Sequence, residues 1–169
     1  MTKTIARIAA FICAAVMASA VLAGCFGSNM QVNDQSRAYR TYMSQVNQIM
    51  VELDESLDSF TDAVSRNDTV NMESVLDQAL KTLDKLDGLE VPAALKDVHK
   101  GYMDAADTLE GALRDYSALY VEIDAAAQNE KSADWDDYAE RIAQIQTKYD
   151  EGVKALQAAD EAAAKAGTF

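Results

Sequence analysis

Residues 36–66 read SRAYRTYMSQVNQIMVELDESLDSFTDAVSR. The apolar positions Tyr39, Met43, Val46, Met50, Leu53, Leu57, Phe60 and Val64 step by four and three in strict alternation, which is heptad spacing. At that interval one stripe of an α-helix meets a neighbour, whereas a half-buried strand would need an apolar residue at every second position. The opposite positions carry Gln45, Asn47, Glu52, Asp54, Glu55, Asp58 and Asp62, and no glycine or proline interrupts the run. The spacing predicts a long amphipathic helix from about residue 36 to Arg66, with Asp34 or Ser36 as N-cap. Arg66-Asn67-Asp68-Thr69 breaks it, and Asp68 or Thr69 is placed to cap the next.

The same signal recurs three times downstream. Met72, Leu76, Ala79, Leu83 and Leu86 mark a shorter second helix, with Lys81 and Lys85 near its end, where cations favour the dipole, and Gly88 just beyond. Pro92 is the single proline and suits the first position of a third helix, whose missing N–H bond costs nothing there. Leu95, Val98, Tyr102, Ala105, Leu109, Ala112, Tyr116, Leu119 and Ile123 form the third seam, with Gly101 and Gly111 inside it as points of close approach or of a gentle bend. Gln128-Asn129-Glu130-Lys131 breaks the chain, Ser132 caps a fourth helix, and Trp135, Tyr138, Ile142, Ile145, Tyr149, Val153 and Leu156 carry its seam. Ala158–Ala166 has no large side chain and is expected to fray or project. Strand signals are missing. The expected fold is therefore all-α: an antiparallel up-down-up-down four-helix bundle over residues 36–166, with a short second helix and a tail at 167–169. The second helix, at roughly 28 Å, falls well short of the others at roughly 45–54 Å, so three helices must close around one another or leave a groove.

Ahead of the bundle, Lys3 and Arg7 precede an apolar run from Ile8 to Ala18 and then Leu22-Ala23-Gly24-Cys25. Basic residues, a short apolar core and small residues before a cut make a secretory leader rather than a permanent span. Leu22-Ala23-Gly24-Cys25 resembles the lipobox of bacterial lipoproteins. That resemblance implies that Leu22, Ala23 and Gly24 are read by a dedicated signal peptidase, that residues 1–24 are removed, and that the Cys25 thiol carries a diacylglycerol. Residues 25–35 then read as a lipidated polar tether. The implied location is the cell membrane or outer membrane, facing outward, with the membrane as partner through the lipid on Cys25.

Removing the leader takes Lys3 and Arg7 away, leaving 13 basic against 28 acidic residues, a net charge of about −15. That excess opposes binding to nucleic acid and charge-driven docking on anionic lipid. Cys13 leaves with the leader and Cys25 is taken by lipid, so no thiol is left for a disulfide, a metal or a nucleophile.

Chemistry-bearing motifs are sparse. His99 is the single histidine, has no His-Glu-x-x-His or cysteine around it, and reads as a solvated or loop-contacting residue near a helix start. Asp54, Asp58 and Asp62 share one helical face and read as solvated. No catalytic residue, metal site or cofactor is expected. The tyrosines stand out: Tyr42, Tyr102, Tyr116, Tyr120 and Tyr138 are candidates for lining an amphipathic groove, against the simpler expectation that they pack the core. The expected function is a non-enzymatic binding or scaffolding module of the cell envelope, with an envelope protein as partner. The alternatives are a small-molecule or metal-binding carrier or sensor using that groove, and, further off, a cell-wall hydrolase.

Overall fold

The computed structural model describes residues 34–66, 68–128 and 135–166. The leader, the Leu22–Cys25 box, most of the tether, the Ser132 cap and the tail at 167–169 lie outside the described residues. Among the described residues there are four helices, α1 (Asp34–Ser65), α2 (Thr69–Asp84), α3 (Lys96–Gln128) and α4 (Trp135–Ala166), with a 3-10 turn (Ala93–Leu95) before α3. Among the described residues there is no strand.

Cross-helix contacts set the topology. Tyr102, Asp115 and Glu122 of α3 bond in turn to Asp160, Lys148 and Arg141 of α4, so the two run in opposite senses. Tyr42 and Phe60 of α1 meet His99 and Tyr116 of α3, so those two run in the same sense. Tyr39 of α1 reaches Ala163 near the end of α4. The result is the up-down-up-down bundle that four short-linked seams require. α1 and α3 begin and α4 ends at one pole, called here the near pole; the turn from α1 to α2 lies toward the other, the far pole.

Local chemistry explains the breaks. The Asn71 backbone N–H donates to Asp68 Oδ1 at 3.0 Å, capping α2, so Asp68 takes the role shared in expectation with Thr69. Pro92 does not open α3. It stands one step before the 3-10 turn, where its carbonyl accepts from the Leu95 N–H at 2.8 Å, and α3 starts at Lys96. α2 has 16 residues, about 24 Å, against about 48 Å for α1. Its shortness leaves space at the near pole. The connector fills that space: Leu86 and Leu95 are fully buried, and Leu89 and Val91 pack against the same core.

Three expectations are corrected by the packing. In the first half of α1 the buried face is Tyr42, Val46 and Ile49, while Tyr39, Met43 and Met50 sit at its edge. A straight helix drifts about 20° per heptad against a 3.5-residue seam, so neighbouring positions take over the core. The alanine-rich end of α4 neither frays nor projects. Ala159 and Ala163 are buried, and their small side chains let α4 come close to α1 and α3. The tight glycine contact between α3 and α4 is at neither Gly101 nor Gly111. A Cβ on Gly101 would meet only ordinary contact with Ala159, and one on Gly111 would meet only the flexible end of Lys148. It is at Gly152, where an added Cβ would stand 2.7 Å from Leu109 Cγ.

Phe60 lies within two turns of the end of α1, yet α3 continues for more than three turns past its partner Tyr116. The α3–α4 hairpin therefore outruns the rest at the far pole. There it buries its own small cluster of Leu119, Ile123 and Tyr138. Arg141 braces that cluster, donating to both carboxylate oxygens of Glu122 at 3.1 and 2.8 Å and lying 5.9 Å from the Tyr138 ring centroid.

Candidate functional site

The five tyrosines do not line one groove. Tyr42 and Tyr102 are buried at the near pole with their hydroxyls engaged. The Tyr42 hydroxyl hydrogen-bonds His99 Nδ1 at 3.1 Å, and the Tyr102 O–H donates to Asp160 Oδ1 at 2.5 Å. The Tyr39 O–H donates to the Ala163 carbonyl at 2.7 Å. These bonds tie α1, α3 and α4 together where α2 is missing, so the tyrosines there work as cross-braces with an apolar body inside and a satisfied polar tip. His99, expected to be solvated or at a loop, is instead half-buried as the partner of Tyr42. Tyr138 belongs to the far-pole cluster, and Tyr120 is half-buried and packs against the main core.

Of the five, Tyr116 lines a cavity. It does so with Leu57 and Phe60 of α1, Leu113 of α3, and Ile145 and Tyr149 of α4; α2 takes no part. Tyr149 and Phe60 were legible only as seam residues, because pairing α1 with α4 across the cavity depends on topology and not on spacing. The Phe60 and Tyr116 rings meet edge to face at 5.8 Å. The Tyr116 hydroxyl is buried and has no hydrogen-bond partner among the described residues. Burial, with Tyr120 nearby, pushes its pKa up to about 12. Burial also raises Tyr149 to about 12, helped by Asp54, Asp150 and Asp58.

Volume decides what this site can hold. The cavity measures about 30 Å³. A water needs about 10–15 Å³ measured this way, while benzene occupies engineered cavities of about 150 Å³. In this conformation the space admits one or two waters beside the Tyr116 hydroxyl and no organic ligand. Tyr116→Phe, which deletes a buried hydroxyl that no protein group satisfies, is therefore expected to change stability by less than about 1 kcal/mol in either direction. Urea denaturation would check this, and a loss above about 2 kcal/mol would reveal a hydrogen bond the packing does not show.

The charged surface shows no concentrated chemistry. A broad open depression lies over Asp115, Arg141 and Lys148, but both cations there are already paired, Lys148 with Asp115 at 2.8 Å and Arg141 with Glu122. Asp54 and Asp58 are exposed, and Asp62 pairs with Arg66. Among the described residues no group of three or more His, Asp or Glu side chains is placed to hold a metal ion. No family model, curated protein or solved structure matches this chain.

Proposed function

We propose that the protein is a lipid-anchored, non-enzymatic binding or scaffolding module on the extracytoplasmic face of a bacterial envelope. One observation carries the reading: Leu22-Ala23-Gly24-Cys25 follows a leader with Lys3, Arg7 and an apolar run, at the spacing a lipobox needs. The bundle is consistent with it. No helix among the described residues is long and apolar enough to cross a membrane, so attachment falls to the diacylglycerol on Cys25. The buried polar groups of the bundle support a structural task, since Tyr39, Tyr42 and Tyr102 brace helices against one another. A carrier of small molecules is the second reading, favoured by the unpartnered Tyr116 hydroxyl and opposed by the size of the cavity beside it.

Cys25→Ser removes the lipid acceptor. Incorporation of labelled fatty acid and sedimentation with membranes are both expected to be lost, with the bundle's helical circular dichroism intact. Unchanged membrane retention of this variant would overturn the anchor.

A further inference from the structure

The topology sorts the charges along the bundle axis in a way that no stretch of sequence displays. The near half holds residues 34–50, 86–106 and 152–166, brought together by the Tyr42–His99, Tyr39–Ala163 and Tyr102–Asp160 contacts. It carries seven carboxylates against six cations, a net charge of −1. The cations are Arg37, Arg40, Lys96, Lys100, Lys154 and Lys165, drawn from three helices and all exposed. The far half, residues 51–66, 68–85, 107–128 and 135–151, carries nineteen carboxylates against six cations, a net charge of −13. Almost the whole acidic excess of the described residues therefore sits on one half of the molecule. The chain enters α1, from the side of Cys25, at the opposite, near-neutral pole.

We infer that this polarity orients the bundle on an anionic membrane, its near pole toward the lipid headgroups and its acidic pole directed away. The inference rests on the lipid anchor at Cys25 proposed above. Eight residues, 26–33, lie between Cys25 and α1, and covalent geometry limits the reach of that many residues to about 30 Å. The near pole is thus held within reach of the headgroups. Charges interact with the surface over a Debye length of about 8 Å at physiological salt. A bundle lying flat would bring the acidic half inside that distance, where anionic headgroups repel it. An upright bundle about 48 Å long keeps most of that half beyond it. The near pole, with six cations among its seven carboxylates, meets no comparable repulsion. Charge and tether act together: the tether chooses which pole is close, and the charge distribution resists lying down.

The test uses the lipidated protein, purified from membranes and reconstituted into vesicles of phosphatidylcholine alone or with about one-third phosphatidylglycerol. With Cys25 blocked by lipid, a cysteine introduced at an exposed site is the single reactive thiol. Ala38→Cys near α1's start and Asn71→Cys near α2's start place a donor dye at the near and far poles, and acceptor lipids report height above the bilayer. In anionic vesicles at low salt, energy transfer from residue 38 is expected to exceed that from residue 71 at least about threefold, as an upright helix length implies. The ratio is expected to shrink in pure phosphatidylcholine and in about 1 M salt, where screening shortens the range to about 3 Å. Arg37→Glu/Arg40→Glu/Lys96→Glu, which makes the near pole acidic, is expected to shrink it as well; helical circular dichroism checks that the variant is folded. Equal transfer from both sites in anionic vesicles at low salt would overturn the inference. So would a ratio indifferent to lipid charge and salt, which would leave the tether alone in control. Failure of the wild-type protein to float with vesicles is a different result, and it would strike the anchor at Cys25 rather than the orientation.

Discussion

Leu109→Ala is expected to destabilise the bundle by about 2–5 kcal/mol, and to lower the cost of a second substitution at Gly152. Leu109 of α3 is fully buried and presses on Gly152 of α4. Truncating a leucine there removes apolar contact and leaves a cavity that rigid helices fill poorly. Gly152 lies opposite. In the middle of a helix alanine is favoured over glycine by about 1 kcal/mol, so Gly152→Ala would ordinarily stabilise. Here the new Cβ would stand 2.7 Å from Leu109 Cγ and 2.9 Å from Cδ2, with the Leu109 backbone nitrogen at 3.2 Å. Overpacking of that kind costs about 1–3 kcal/mol, so Gly152→Ala is expected to destabilise the wild-type bundle. With Leu109 already cut to alanine, the Cγ and Cδ2 clashes are gone. The 3.2 Å approach to the backbone nitrogen of position 109 remains, so Gly152→Ala is expected to cost less in that background than in the wild type, by about 1–3 kcal/mol. A double-mutant cycle by urea denaturation measures the coupling. Stabilisation by Gly152→Ala in the wild-type background would mean the helices are further apart than this packing has them.

Raising the pH through 10 to 12 is expected to unfold the domain, through phenols rather than carboxylates. Desolvation pushes the Tyr42 and Tyr116 pKa values from about 10 to about 12 in the fold. Below pH 10 both hydroxyls are neutral whether the chain is folded or not, so the stability that rests on burying them is fully present. Above pH 10 the unfolded chain loses its phenolic protons while the folded one keeps them, and stability falls until the folded values are passed. Each of the two contributes on the order of 1–3 kcal/mol across that window. Together they remove a sizeable part of the roughly 5–15 kcal/mol that stabilises a domain. Tyr102 acts in the same direction, since burial and the adjacent Asp160 both hold its hydroxyl protonated. Helical circular dichroism against pH, at constant ionic strength, reads the transition. Tyr116→Phe removes one of the titrating groups and is expected to move the midpoint upward. A wild-type bundle unchanged at pH 12 would show these rings to be more hydrated than the packing implies.

The two results address different parts of what makes the fold. The Leu109–Gly152 contact concerns how near two helices can come, and the tyrosines concern how dry their meeting faces are. Neither could be placed from the seams. Gly152 is one of seven glycines in the chain, and spacing alone drew attention to Gly101 and Gly111. A glycine matters where another helix presses on it, and that neighbour lies more than forty positions away in sequence. Likewise Tyr42 stood beside the predicted stripe rather than on it. A heptad seam fixes a helix face to within about one residue, and the drift of a straight helix selects which residue turns fully inward.

What the sequence by itself determined was everything that depends on local periodicity. The 4-3 recurrence of apolar residues from Tyr39 to Leu156 named four helices and their antiparallel order, because short breaks leave successive helices no choice but to fold back. Asp68 at the second start could be read from the preference of short polar side chains for free N–H groups. Tertiary structure decided what depends on who faces whom. It turned the alanine-rich end of α4 from a projecting tail into a close contact, because Ala159 and Ala163 leave room for α1 and α3. It separated the five candidate tyrosines into braces, cavity wall and outlying cluster. It also gathered a charge excess spread along the whole chain onto one half of the bundle, since antiparallel packing brings the start of α1, the start of α3 and the end of α4 to a common pole. Periodicity is a property of neighbours in sequence; proximity across a bundle comes only from closing it.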